Sequence, residues 1–138
     1  LHTTLDTSGC LLNDDVKKVL DQTDLVLLDF KMTTEEEYNA FAKGSLIQTV
    51  KFLDYLNSIS KPTWIRHVVI PGINDTLKQT QELKEILKPY ECIERVDFLP
   101  YKSLCISKYD ELQIEFPYKD IKEATNEDIE KIEAWFNE

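Results

Sequence analysis

The sequence is short of cysteine, glycine, methionine and histidine, has no long apolar run, and carries far fewer bases than acids. Its three cysteines, Cys10, Cys92 and Cys105, stand far apart. An odd, widely spaced set fits neither a disulfide framework nor a Cys-x-x-Cys metal knuckle, so reduced thiols are expected. No stretch of about 18 apolar residues occurs, which excludes a membrane-spanning helix. Leu1-His2-Thr3-Thr4 has neither the basic nor the apolar part of a secretion signal, and the expected location is the cytosol. With three glycines and no low-complexity tract, collagen-like and disordered chains are excluded. The 16 basic residues against 26 acidic ones give a net charge of -10. That charge repels phosphate backbones and anionic lipid, so neither nucleic acid nor a membrane surface is an expected partner.

What is present is a chain of 138 residues, 42% hydrophobic and 30% charged, which suits a single domain over 1–138. It is too short for a complete parallel barrel, which takes about 250 residues. It also starts without Met, inside a strand-like segment, as a fragment would.

Leu1 to Asp6 reads as a strand, followed by Asn13 capping a helix with Val16, Val19 and Leu20 at helical spacing. Leu25 to Phe30 is an apolar run with an acid near its end, the pattern of a strand covered on both faces. Thr33 with Glu36 reads as a capping box opening an acidic helix through Tyr38 and Phe41 to Gly44. Ser45 starts another, with Leu46, Val50, Leu53 and Leu56 on one face. Thr63 to Ile70 is β-prone and ends at Pro71-Gly72, after which Asp75 is expected to cap a helix carrying Leu77, Leu83, Ile86 and Leu87. Arg95 to Leu99 makes a fourth strand. Cys105 to Lys122 reads as irregular, and Thr125 caps a last helix with Ile129, Ile132, Trp135 and Phe136 along one stripe. Strands alternating with helices, without hairpin signals, predict an α/β fold with a parallel sheet.

In such folds the working groups stand at the C-terminal ends of strands. Period two puts Leu27, Asp29 and Lys31 on one strand face, with Val26, Leu28 and Phe30 on the other. On the next strand Trp64, Arg66, Val68 and Ile70 share a face while His67 points away. Asp6, Asp29, Lys31 and Arg66 thus converge on one mouth, where they either offset one another or hold a zwitterionic ligand. His67 is read as a hydrogen-bonded packing residue and Glu35-Glu36-Glu37 as the favourable acidic first turn of a helix.

Four segments in order, Leu5-Asp6-Thr7-Ser8-Gly9, Thr23 to Lys31, Trp64 to Gly72 and Leu99-Pro100-Tyr101, resemble the pyruvate formate-lyase-activating enzyme family of the radical-SAM superfamily. The resemblance implies a partial parallel (βα) barrel, this chain being the last four strand-helix units of a six-stranded radical-SAM barrel without its cluster loop. It implies an oxidoreductase in which a [4Fe-4S] cluster on a Cys-x3-Cys-x2-Cys loop cleaves S-adenosylmethionine. The 5'-deoxyadenosyl radical then takes hydrogen from a backbone glycine of a partner, and a flavodoxin or ferredoxin supplies electrons. By the resemblance, Asp6, Asp29, Lys31, Arg66, Val68 and Lys102 are cofactor-binding, and Asp6 with Asp29 can hold a monovalent cation. The cluster cysteines lie outside this chain, so the chain alone is expected to be inactive. The family reads Leu-Pro-Tyr-His where this sequence has Lys102, and Lys replaces that histidine only as a charged donor. The competing reading is a non-catalytic binding or scaffolding module from a truncated radical-SAM paralogue. An unrelated sugar-phosphate barrel is disfavoured because no Gly-rich phosphate loop follows the later strands.

Overall fold

The computed structural model describes all 138 residues, Leu1–Glu138. Four strands form one sheet in the order β1-β2-β3-β4: β1 (Thr4–Thr7), β2 (Leu25–Asp29), β3 (Thr63–Val69) and β4 (Ile93–Pro100). They are parallel, with helices interleaved. The helices are α1 (Asp14–Asp21), α2 (Glu35–Glu37), which runs on into a π-helical turn at Tyr38–Ala42, α3 (Leu46–Ser58), α4 (Leu77–Leu87), α5 (Ile106–Glu111) and α6 (Asn126–Asn137). Two compact units result, Leu1–His67 with Glu82–Asp97, and Val68–Gln81 with Phe98–Glu138. No helix is long and apolar enough to cross a membrane.

In the first unit, Asp24 starts the sheet: its carboxylate accepts from the Thr3 backbone N–H at 2.7 Å and the Thr3 hydroxyl at 3.1 Å. The register then aligns Thr4 with Leu25, Asp6 with Leu27, Val26 with Thr63 and Asp29 with Arg66. Alternation does the rest. Val26, Leu28, Phe30 and Ile65 are fully buried, as are Leu20 of α1 and Leu53 and Leu56 of α3, whereas Leu25, Leu27, Asp29, Trp64 and Arg66 keep partial exposure on the opposite sheet face. Each fully buried aliphatic side chain contributes about 1.5–3 kcal/mol, so the covered face is where this unit gains its stability. Gly9, after β1, holds φ +64, and a Cβ there would stand 2.9 Å from Leu28 Cδ1 and 3.2 Å from Phe52 Cγ. Only glycine lets the chain leave β1 this close to the core.

In the second unit the Tyr101 N–H donates to the Val69 carbonyl at 3.0 Å, continuing the strand pairing to the end of β4. Buried Asn74 accepts from the Ile70 N–H at 2.7 Å and donates to the Val68 carbonyl at 2.9 Å, fixing the turn that follows β3. α6 is opened by a complete capping box, Thr125 with Asp128, and buries Ile132.

Three local expectations shift. α2 is capped by Thr34, whose hydroxyl accepts from the Glu37 N–H, because Thr33 is taken by the carboxylates of Glu37 and Glu82. Thr76 caps α4 and Gln79 reaches back to it, while Asp75 accepts from the Gly72 N–H and closes the preceding turn. The stretch after Cys105 is less irregular than its composition suggests, since Ile106–Glu111 forms α5.

Candidate functional site

The C-terminal ends of β1, β2 and β3 bring three of the expected residues together. Arg66 lies beside Asp29 in register and, on the same partly open face, reaches across β2 to Asp6 on β1. Its Nη2 stands 2.8 Å from Asp29 Oδ1 and 2.5 Å from Asp6 Oδ1, and its Nε donates to Asp29 Oδ1 at 3.1 Å. One oxygen of each carboxylate therefore converges on a single guanidinium nitrogen. Side-chain exposure is 25% for Arg66, 31% for Asp29 and 59% for Asp6. Charge-assisted hydrogen bonds contribute about 1.5–3 kcal/mol when desolvated. Exposure puts the Asp6 bond near the low range of surface pairs, so Asp29 is the firmer anchor. Burial of the guanidinium would lower its pKa, but the hydrogen bond and charge of Asp29, and then those of Asp6, outweigh it and hold the value above the ordinary arginine range.

Lys31 follows two residues beyond Asp29, with its side chain exposed. Its backbone N–H donates to the Tyr38 hydroxyl at 2.8 Å, so the buried tyrosine of the π-helical turn fixes the chain where β2 delivers Lys31 to the surface. Burial raises the Tyr38 pKa, which keeps the phenol neutral and able to accept that bond. Sequence reasoning assigned Tyr38 only to a helix. Its buried phenol, placed just after a strand that carries polar residues, was the available signal.

Of the residues expected in the second unit, Val68 is 39% exposed, on the face opposite its buried neighbour Val69. Lys102 turns toward the segment before α6: its Nζ lies 3.7 Å from Glu123 Oε2 and 3.5 Å from the Ala124 carbonyl. Glu123 also accepts from the Ser103 N–H at 2.8 Å and the Ser103 hydroxyl at 2.7 Å. Those Ser103 bonds, followed by the charge of Lys102, hold the Glu123 carboxyl below the usual carboxylate range. Glu123 escaped sequence reasoning because it sits 21 residues from its partner in a stretch with no periodicity. His67 is buried and its Nδ1 lies 2.6 Å from the Phe30 carbonyl. A carbonyl only accepts, so Nδ1 carries the proton, and the residue joins β3 to the end of β2 as a packing histidine.

Two carboxylates and a guanidinium at strand ends offer both signs of charge, acceptors from the aspartates and donors from the arginine. They include no hydroxyl or thiol nucleophile. An iron-sulfur cluster does not fit this chain's own residues. Exposed Cys10, buried Cys92 and half-buried Cys105 lie on separate segments, and no group of three or more His, Cys, Asp or Glu is placed to hold a metal ion.

No protein-family model matches the chain. It is 32% identical over its full length to a pyruvate formate-lyase-activating enzyme of Clostridium pasteurianum, of which it covers 58%. It is 34% identical over 91% of its length to that of Streptococcus mutans, covering 50% of it. The pyruvate formate-lyase 1-activating enzyme of Escherichia coli K12 is 30% identical over 97% of the chain, which covers 55% of it. The chain thus spans about half the length of the curated relatives it matches. Among solved structures it resembles a domain of a pyruvate-formate lyase-activating enzyme from Bacteroides vulgatus, with TM-score 0.77 and 18% identity, covering 99% of this chain and 76% of that one. It also resembles a radical SAM methyltransferase from Sphaerobacter thermophilus, with TM-score 0.70 and 15% identity over 97% of this chain and 37% of that one. These structural likenesses show the fold.

Proposed function

We propose that this chain, a homologue throughout its length of part of the pyruvate formate-lyase-activating enzymes, supplies the S-adenosylmethionine cradle of a radical-SAM activase. The observation that carries the reading is the Asp6–Arg66–Asp29 constellation on the partly open face of a parallel sheet, at the strand ends where such folds bind ligands. In this reading Asp6 and Asp29 face the methionine ammonium, Arg66 and Lys31 balance its carboxylate, and Val68 offers apolar surface to the nucleoside. Lys102 serves as a charged donor where the family has histidine, once drawn from Glu123. The radical chemistry would be supplied by S-adenosylmethionine together with a [4Fe-4S] cluster that other residues of the whole protein would hold. The partner proposed is a glycyl radical enzyme of the pyruvate formate-lyase type, with a flavodoxin or ferredoxin as electron donor in the cytosol.

The test uses the whole protein, reconstituted anaerobically with iron and sulfide and reduced with dithionite in the presence of S-adenosylmethionine. Release of 5'-deoxyadenosine is expected, and Asp29→Asn should cut it by about tenfold or more, the loss expected when one charged hydrogen-bond partner is removed. No release from protein with a verified cluster would overturn the reading in favour of a binding module.

A further inference from the structure

Tyr38 is 3% exposed and sits behind the point where β2 delivers its polar residues to the surface. Its backbone is fixed on both sides. The N–H donates to the Thr34 carbonyl at 3.0 Å, and the carbonyl accepts from the Lys43 N–H and, at 3.2 Å, from the Gly44 N–H across the wide π-helical turn. Its ring stands edge-on to that of Phe30, with centroids 6.3 Å apart. The phenol is held as firmly: it accepts from the Lys31 N–H at 2.8 Å and is hydrogen-bonded to the Thr49 hydroxyl. Thr49 donates its single proton to the Ser45 carbonyl at 3.1 Å, so its oxygen is left to take the phenol proton. A buried line of hydrogen bonds thus runs from Lys31 through Tyr38 and Thr49 to the start of α3, and each bond in such a line strengthens the next. The charge of Asp29 reaches the phenol and adds to burial in keeping it neutral. Tyr38 therefore braces the end of β2 without placing a third negative charge beside Asp6 and Asp29.

We propose that Tyr38 is a positioning residue that aims Lys31 at the carboxylate of an amino-acid ligand held at the strand ends, and so helps select ligands that carry this carboxylate. The inference rests on the S-adenosylmethionine reading above. The phenol touches no ligand itself. It fixes the backbone from which the lysine side chain departs, and a side chain leaving from a fixed point loses less freedom on binding.

The test measures equilibrium binding of S-adenosylmethionine and of its decarboxylated analogue to the whole protein, unreduced so that no turnover occurs. The native protein is compared with Tyr38→Phe, Lys31→Ala and the double variant. Tyr38→Phe keeps the ring and removes the acceptor. It should weaken S-adenosylmethionine binding by about tenfold, the worth of one hydrogen bond to a charged group, and leave the affinity for the analogue unchanged. In the Lys31→Ala background it should add nothing, because the effect passes through the lysine. A merely structural role would weaken both ligands alike and persist without Lys31, and either result overturns the proposal, as does unaltered S-adenosylmethionine binding. Binding of neither ligand by the native protein overturns the cofactor reading and this inference with it. Should Tyr38→Phe fail to fold, Thr49→Val breaks the line one bond further on. A loss confined to S-adenosylmethionine then supports the proposal, and an affinity equal to the native one overturns it.

Discussion

His67 offers the cleanest pH signature of any single side chain here. Burial pushes its pKa below the ordinary 6.5, against the smaller opposing effect of its bond to the Phe30 carbonyl. As pH falls through that ordinary value the unfolded chain takes up a proton that the folded chain refuses. Stability is therefore complete above it and declines below it, by at most about 1.4 kcal/mol per pH unit. Urea midpoints at about pH 7.5 and about pH 5.5 should differ in the native chain, and His67→Gln should remove that part of the difference. Carboxylates held low, such as Asp24 by the Thr3 N–H, act only at more acid pH. Gly9→Ala should destabilise by about 1–3 kcal/mol, since it combines a left-handed backbone with a clash at Leu28 Cδ1, and denaturant unfolding reads the loss directly. At this scale period two was enough to place Asp29 and Arg66 on one face and His67 on the other, and the position of Asp6 at the end of its strand brought it to the same mouth. It was silent on Tyr38 and Glu123, whose partners Lys31 and Lys102 are met through loops, and no strand period reaches into a loop.

Among the elements, helix starts were written most plainly. Asn13, Ser45 and Thr125 cap α1, α3 and α6 as their spacing predicts. Thr125→Ala should cost about 1 kcal/mol, read as a lower urea midpoint, because the hydroxyl is the acceptor for the Asp128 N–H in the capping box. Phe52→Ala in α3 should cost about 3–5 kcal/mol, for the ring is buried at the one point where β1 leaves the sheet past Gly9. Where caps were misassigned, two candidate hydroxyls or carboxylates stood side by side. Thr33 and Asp75 each found a stronger partner: the Glu82 carboxylate 49 residues away for Thr33, and the Gly72 N–H for Asp75. α5 was missed because six residues without an apolar stripe carry no periodic signal.

For the molecule as a whole, the alternation of strand and helix was enough to give the sheet and its parallel sense. The two compact units leave no mark in the composition, since each joins two separate stretches of the chain. A four-stranded open sheet leaves β1 and β4 each with one neighbour, and edges of this kind pair with one another unless charge prevents it. At net charge -10 that protection is electrostatic and fades as salt shortens the screening distance from about 30 Å at 0.01 M to about 3 Å at 1 M. Sedimentation should therefore find a larger average mass in high salt than in low salt, and an unchanged mass would show the edges to be blocked some other way. The boundaries between the two units fall within or beside β3, α4 and β4, so the chain passes from one unit to the other three times. No single recombination breakpoint can separate them, because a gene exchange that keeps one intact severs the other.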